Sequence, residues 1–253
     1  CARAFDGPEA AQAVDREVLR ALGSDADLGL VGLLLALGAF ADKAIFAFTL
    51  GRPVGWGLRS HAGFEDVTFL AAMIGLPGLV AFLVWLDAPV REAYRDCLRA
   101  IGGGTPREGV ALRRRAMGAS FRTAIARLLE IEAVVAVLAL IGAPWILEAL
   151  RFDAAAAGTF RVAVVATVLQ VAVLLHVAVL AYLDARRGAL LVAGVFAGAN
   201  ALFAAISAAL GSDGAGVGYA AAGLAAVAVA FVAVDRGIAD FEYQLFRRQP
   251  LEP

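Results

Sequence analysis

Six apolar runs of about twenty residues each constrain this chain more than anything else in it. They are Leu28 to Leu50, Val67 to Leu86, Leu128 to Leu147, Val162 to Leu183, Ala189 to Leu210 and Val217 to Val234. Runs of this length, repeated, are too many for the core of one soluble domain. They predict membrane-crossing α-helices, because in lipid each backbone amide must find its partner within its own segment. The expected fold is therefore all-α: a polytopic bundle of six transmembrane helices. With 61% of residues hydrophobic, the composition agrees. The formal net charge of -1 says little, because the charges are segregated rather than absent.

The segregation sets the expected orientation. Between Val90 and Arg127 the chain carries Arg91, Arg95, Arg99, Arg107, Arg113, Arg114, Arg115, Arg122 and Arg127, against Glu92, Asp96 and Glu108. Basic loops beside apolar spans stay in the cytoplasm. With six spans and this loop inside, the inner segments hold 17 arginines and the outer ones hold 4, namely Arg52, Arg59, Arg151 and Arg161. Both termini are then cytoplasmic and the membrane is a bacterial inner membrane. Three parts follow. Residues 1–27 form a cytoplasmic amphipathic segment, with Val14, Val18, Leu19 and Leu22 at helical spacing. Residues 28–236 form the six-helix lobe with a basic insertion at 90–127, and residues 237–253 form a cytoplasmic or interfacial tail. A first residue of Cys rather than Met predicts a segment of a longer protein.

Arg91, Arg95 and Arg99 fall at i, i+4 and i+8, which puts three positive charges on one helix face. That face, with the Arg113-Arg114-Arg115 triplet, is a candidate contact for anionic lipid or a cytoplasmic partner. Gly102-Gly103-Gly104 ends one helix. Thr105-Pro106-Arg107-Glu108 reads as the start of the next, with Thr105 as N-cap and Glu108 closing a capping box.

Charged residues inside the apolar runs carry the functional signal. Asp42 and Lys43 lie within the first run, where each costs roughly 2.5 to 3.5 kcal/mol on insertion scales. Adjacent residues on a helix diverge by about 100°, so the two are not expected to pair simply with each other. Asp42 is placed toward a cavity, and Lys43 toward a carboxylate on another helix. Gln170, His176 and Asn200 are polar positions in later runs that suit hydrogen bonds between helices. Together with Asp42 and Lys43 they form the candidate substrate path. Glu130 and Glu132 open the third run and are expected at the inner headgroups. Gly75, Pro77 and Gly78 mark a hinge, since a mid-helix proline removes a backbone hydrogen bond. Gly194 and Gly198 have the G-x-x-x-G spacing of a close helix contact, and Trp56 suits a membrane interface.

Enzymatic chemistry is not expected. Gly102-Gly103-Gly104-Thr105 lacks the Gly-Lys-Ser/Thr of a phosphate-binding loop, and no H-E-x-x-H occurs. Cys1 and Cys97 have no nearby metal-ligating partner, and the only histidines are His61 and His176. No cofactor, metal or nucleic-acid partner is indicated.

Several local patterns resemble the PelG family of exopolysaccharide transporters, polytopic proteins of the multidrug/oligosaccharidyl-lipid/polysaccharide flippase type. They run in order along the chain: Phe40-Ala41-Asp42-Lys43-Ala44-Ile45-Phe46, then Phe64-Glu65-Asp66-Val67-Thr68-Phe69-Leu70-Ala71 and Pro77. Tyr182-Leu183-Asp184-Ala185-Arg186-Arg187, Asn200, Gly216-Val217-Gly218-Tyr219-Ala220 and Phe241-Glu242-Tyr243-Gln244-Leu245-Phe246 with Gln249-Pro250 complete the series. The resemblance implies the C-terminal lobe of a two-lobe transporter whose lobes enclose a cavity opening alternately to each side. It implies a polysaccharide substrate, and as partners a cytoplasmic glycosyltransferase and other inner-membrane synthase subunits. A lipid-linked oligosaccharide flippase, a small-molecule exporter and a non-transporting scaffold of the synthase are the alternative readings.

Overall fold

The computed structural model describes residues 26–212, 214–241 and 243. The expected N-terminal amphipathic helix and most of the tail lie outside the described residues. Helix α1 (Ala26–Thr49) leads into a hairpin of β1 (Arg52–Gly55) and β2 (Leu58–Ser60). Then come α2 (Ala62–Met73), α3 (Leu76–Ala81), a π-helical turn (Phe82–Leu86) and α4 (Asp87–Gly102). The long α5 (Arg107–Ala149), α6 (Ala156–Tyr182), α7 (Arg186–Ala209) and α8 (Val217–Ala239) complete the bundle.

The expected all-α polytopic bundle is what the chain forms, but the count of six spans needs correction. Among the described residues, five helical stretches are long and apolar enough to cross a membrane: Ala26–Thr49, Ala62–Val84, Ala156–Tyr182, Arg186–Ala209 and Val217–Ala239. The run Leu128 to Leu147 is not a helix of its own. It is the second half of the 43-residue α5, continuous with the arginine-rich segment and carrying Glu130, Glu132 and Glu148.

Helix directions follow from which residues meet. In α1 and α7, Gly38 meets Phe196 and Ala197, Asp42 meets Asn200, and Phe46 clusters with Ala204, so the two run parallel. Gly188 meets Ala233 and Gly218 meets Phe203, so α7 and α8 are antiparallel. Ile125 and Leu128 of α5 pack with Val171 and Leu175 of α6, whereas Ala136 through Leu147 pack with Phe160, Ala163 and Val164. That pair is antiparallel too. Helix α6 is the hub, touching α2, α5, α7 and α8 and burying Phe160, Val164, Val173, His176 and Leu180.

One end of the bundle is basic. There Arg122 pairs with Asp235 at 2.9 Å, and Arg114 donates to the Ala239 carbonyl at 3.1 Å. Tyr94 of α4 meets Tyr182 at a tilt and Phe241 edge to face, and Arg186 pairs with Asp184. The start of α1, the α6–α7 turn and the end of α8 share this end. At the opposite end Phe46 and Phe64 meet edge to face, centroids 5.1 Å apart. The hairpin there joins α1 to α2. Its two-residue turn, Trp56-Gly57, has φ of 54° and 76°, the left-handed pairing whose twist matches antiparallel strands. Trp56 is fully exposed at its tip.

Two local expectations shift. Pro106, not Thr105, is the residue preceding α5, with φ -53° and ψ 149°, and no side chain caps it. Its carbonyl accepts from the Gly109 and Val110 amides, so the proline's fixed φ starts the helix where a capping box was expected. Gly194 and Gly198 make no close contact. Both border an open apolar groove between α1 and α7, and Gly38 supplies the tight approach instead.

Candidate functional site

The α1–α7 contact exists because Gly38 has no side chain. A Cβ there would run into the Phe196 ring and stand 3.2 Å from the Ala197 amide nitrogen. The close approach brings Asn200 to α1, where its Nδ2 donates to the Gly38 carbonyl at 2.8 Å and to Asp42 Oδ1 at 3.3 Å. Asn200 and Asp42 are both buried, and Asp42 is only 1% exposed.

Lys43 corrects an expectation. Its Nζ swings back along its own helix to the Ala39 carbonyl at 3.0 Å and to Asp42 Oδ1 at 3.3 Å. The backbone directions of 42 and 43 do diverge, but a flexible four-carbon stem spans the gap. The same ammonium sits 4.9 Å from the centroid of the Tyr219 ring, a cation–π distance. Tyr219 in turn donates its hydroxyl to Gln170 Oε1 at 2.6 Å. Four of the five candidate path residues, Asp42, Lys43, Asn200 and Gln170, are thus joined across α1, α6, α7 and α8, with Tyr219 as the link. Tyr219 was not singled out in the sequence, although it lies in one of the family-like segments.

Two acceptors in this chain of contacts are left over. Asp42 Oδ2 and Asn200 Oδ1 are buried without hydrogen-bond partners. Both residues border a crevice lined also by Phe46, Ala204, Gly216 and Tyr219, with no room for a water molecule. Acceptors of this kind are satisfied by hydroxyl or ammonium donors.

His176 does not join the group. Its Nδ1 lies 2.7 Å from the Ala172 carbonyl of its own helix, and its ring meets Phe231 of α8 edge to face at 4.5 Å. Between α2 and α3 the helix is interrupted at Ile74-Gly75, just before Pro77. The Ile74 and Gly75 amides bond three residues back, to Ala71 and Ala72, and α3 restarts with Pro77 in its first turn. Gly75 lies against Thr167 and Val171 of α6, and Gly78 against Glu132 of α5.

Glu132 is the residue the sequence placed wrongly. Glu130 is exposed and pairs with Arg127 at 2.8 Å, as a headgroup-level carboxylate would. Glu132 is wholly buried against the Gly78 backbone amide, and among the described residues no side chain donates to its oxygens. Its burial depends on Gly78, which lies 54 positions away in the chain and gave no local signal.

Arg91, Arg95 and Arg99 are all exposed along one side of α4, whose other side buries Val90 and Cys97. Arg113 and Arg115 are exposed on α5, while Arg114 is tied to the end of α8. Among the described residues no cluster of His, Cys, Asp and Glu could hold a metal ion.

Apolar spanning helices, an ion pair buried between them and a basic end define a multi-pass membrane protein with a polar seam through its interior. The chain belongs to the PelG family, whose model, described as "Putative exopolysaccharide Exporter (EPS-E)", matches residues 2–246. Membership places it among exopolysaccharide exporters. No curated protein and no solved structure matches it.

Proposed function

We propose that this chain carries a growing exopolysaccharide across the bacterial inner membrane as one lobe of a flippase-type transporter, and does no covalent chemistry on it. The observation that carries this reading is the pair of unpartnered acceptors, Asp42 Oδ2 and Asn200 Oδ1, beside one crevice in an apolar bundle. Sugar hydroxyls or an amino-sugar ammonium are the donors that such a site lacks. The crevice is closed here, so a passing sugar requires α8 to part from α1 and α7. The basic end faces the cytoplasm, with the start of α1 and the end of α8 beside it. There it meets a glycosyltransferase and other synthase subunits.

The test is secretion by Asp42→Asn and Lys43→Met cells, with membrane abundance measured in parallel. Asp42→Asn should lower secretion roughly tenfold or more at normal abundance, through loss of a charged hydrogen bond to the sugar. Lys43→Met leaves the buried carboxylate without its cation, a loss of up to about 3 to 5 kcal/mol, so its abundance should fall; Asp42→Asn costs less, because the freed ammonium is partly exposed and keeps the Ala39 carbonyl. The double variant should regain abundance and still fail to secrete. Full secretion by Asp42→Asn and by the double variant would assign the chain to scaffolding instead.

A further inference from the structure

A second buried carboxylate lies away from this seam, where α3 crosses α5. Glu132 is 0% exposed, and among the described residues no side chain donates to its oxygens; the Gly78 backbone amide is the polar group set against it. It faces Gly78, where any Cβ would overlap its carboxylate. That glycine belongs to α3, six residues long, with the helix break at Ile74-Gly75 before it and the π-helical turn Phe82–Leu86 after it. Gly75, at the break, is packed closely too: a Cβ there would lie 2.8 Å from Thr167 and 2.9 Å from Val171. A short helix with a weakened joint at each end is therefore seated, through two glycines, on an acidic side chain and on α6. Helix breaks and π turns are positions where a helix can rearrange at small cost.

Among the described residues, the surroundings offer Glu132 no counter-charge. From α3 and the π turn come Gly78, Leu79 and Phe82. From α6 come Val171 and Leu175, while Thr167, which lies against Gly75, has its hydroxyl committed to the Ala163 carbonyl. On α5 itself, Ile125, Leu128 and Leu129 are apolar neighbours, while Arg127 and Glu130 are exposed and paired with each other. His176 of α6 faces Phe231 of α8. An ionised carboxylate without a counter-charge in such a place costs several kcal/mol, and a group in that position neutralises itself by taking a proton.

We propose that Glu132 is a proton-binding site that controls the position of α3. With its proton the acid fits against Gly78 and α3 stays seated. When the Oε–H bond breaks and the proton passes to water, the remaining carboxylate must leave the apolar contact or admit water, and α3 gives way because both its ends are weak. Rebinding a proton from water reverses the step. Arg127 lies five residues before Glu132, about 7.5 Å along the helix axis, so water at the basic end is the nearer source and sink. The use of this proton to drive polysaccharide movement rests on the transport reading above; the site itself does not.

Two measurements on the full chain in detergent test it without any polysaccharide, so their failure is separable from a failure of export. Dicyclohexylcarbodiimide modifies protonated carboxyls in apolar settings, and the modified residue is located by fragmentation mass spectrometry. Glu132 should be modified, with a yield falling roughly tenfold between about pH 6 and about pH 9, the range into which burial moves a carboxylate. No adduct at Glu132, or a yield that does not change with pH, would overturn the proposal. For the motion, Cys1 and Cys97 are replaced by Ala, and spin labels are attached through Leu83→Cys and Trp145→Cys, both exposed positions. The interlabel distance should change across the same pH range in the otherwise unchanged chain and stay fixed in Glu132→Gln. A distance that never changes, or a change that persists in Glu132→Gln, also overturns it. The labelling half uses native Glu132, so a poorly folding variant does not leave the idea unexamined.

Discussion

Replacing Asn200 with Leu keeps the branched shape of the side chain, with bulkier tips, and removes both of its donated hydrogen bonds. The first runs to the Gly38 carbonyl at 2.8 Å, the second to Asp42 Oδ1 at 3.3 Å. Bonds to charged groups contribute about 1.5 to 3 kcal/mol, and the longer distance argues for the low end, about 1.5. The bond to Gly38 is a neutral contact between membrane helices, for which about 0.6 kcal/mol is typical. The expected loss is therefore about 2 kcal/mol, which for a chain of this size lowers the unfolding midpoint by roughly 4 to 8 °C. Thermal unfolding of the purified protein, followed by size-exclusion chromatography, measures it. A companion variant sharpens the claim. Asp42→Asn added to Asn200→Leu removes the charge that Asn200 had been stabilising, so the double variant should lose about 1 kcal/mol less than the sum of the singles. A midpoint shift below about 1 °C for Asn200→Leu, or strict additivity with Asp42→Asn, would refute the argument that this amide holds a charged carboxylate.

Two further outcomes are expected. Gly103→Cys, in the exposed turn between α4 and α5, should react with a membrane-impermeant thiol reagent only after cells are opened, whereas Trp56→Cys at the hairpin tip should react in intact cells. The opposite pattern reverses the orientation. Arg91, Arg95 and Arg99 changed together to Glu should detach the glycosyltransferase on co-purification while the protein still inserts. Retained co-purification would leave anionic lipid, at about 1 kcal/mol per basic residue, as the partner of that face.

What was readable in the sequence was whatever stands out from an apolar background. Asp42, Lys43, Gln170 and Asn200 could be found because a polar residue in a lipid-length run needs a reason, and the fold joins all four. Tyr219 could not be found that way, since an aromatic near the start of a span is ordinary. Only the folding of α8 against α1 turns it into the bridge between Lys43 and Gln170. Glu132 was visible as a charge but misplaced in depth. Its position depends on α5 beginning at Arg107 and on a glycine in a distant helix, neither of which is encoded near residue 132. The turn at Trp56-Gly57 was hidden for another reason: a left-handed tryptophan is a rare choice, imposed by the strand pairing on either side rather than by its own preference.

The continuity of α5 has a mechanical consequence. At 1.5 Å per residue its 43 residues make a rod of roughly 65 Å, about twice the thickness of a bilayer's hydrocarbon layer. No proline interrupts it before Pro144, so nothing between the buried carboxylate and the arginine triplet can absorb a bend. Taking the stretch from Arg107 to Leu128 as an arm of about 30 Å, a tilt of about 10° in the apolar half sweeps the tip through roughly 5 Å. Because α4 is packed onto that arm through Val90 and Cys97, its arginine stripe travels with it. A small rocking inside the membrane thus becomes a displacement of surface charge as wide as a helix radius, set against whatever the chain is bound to on that side.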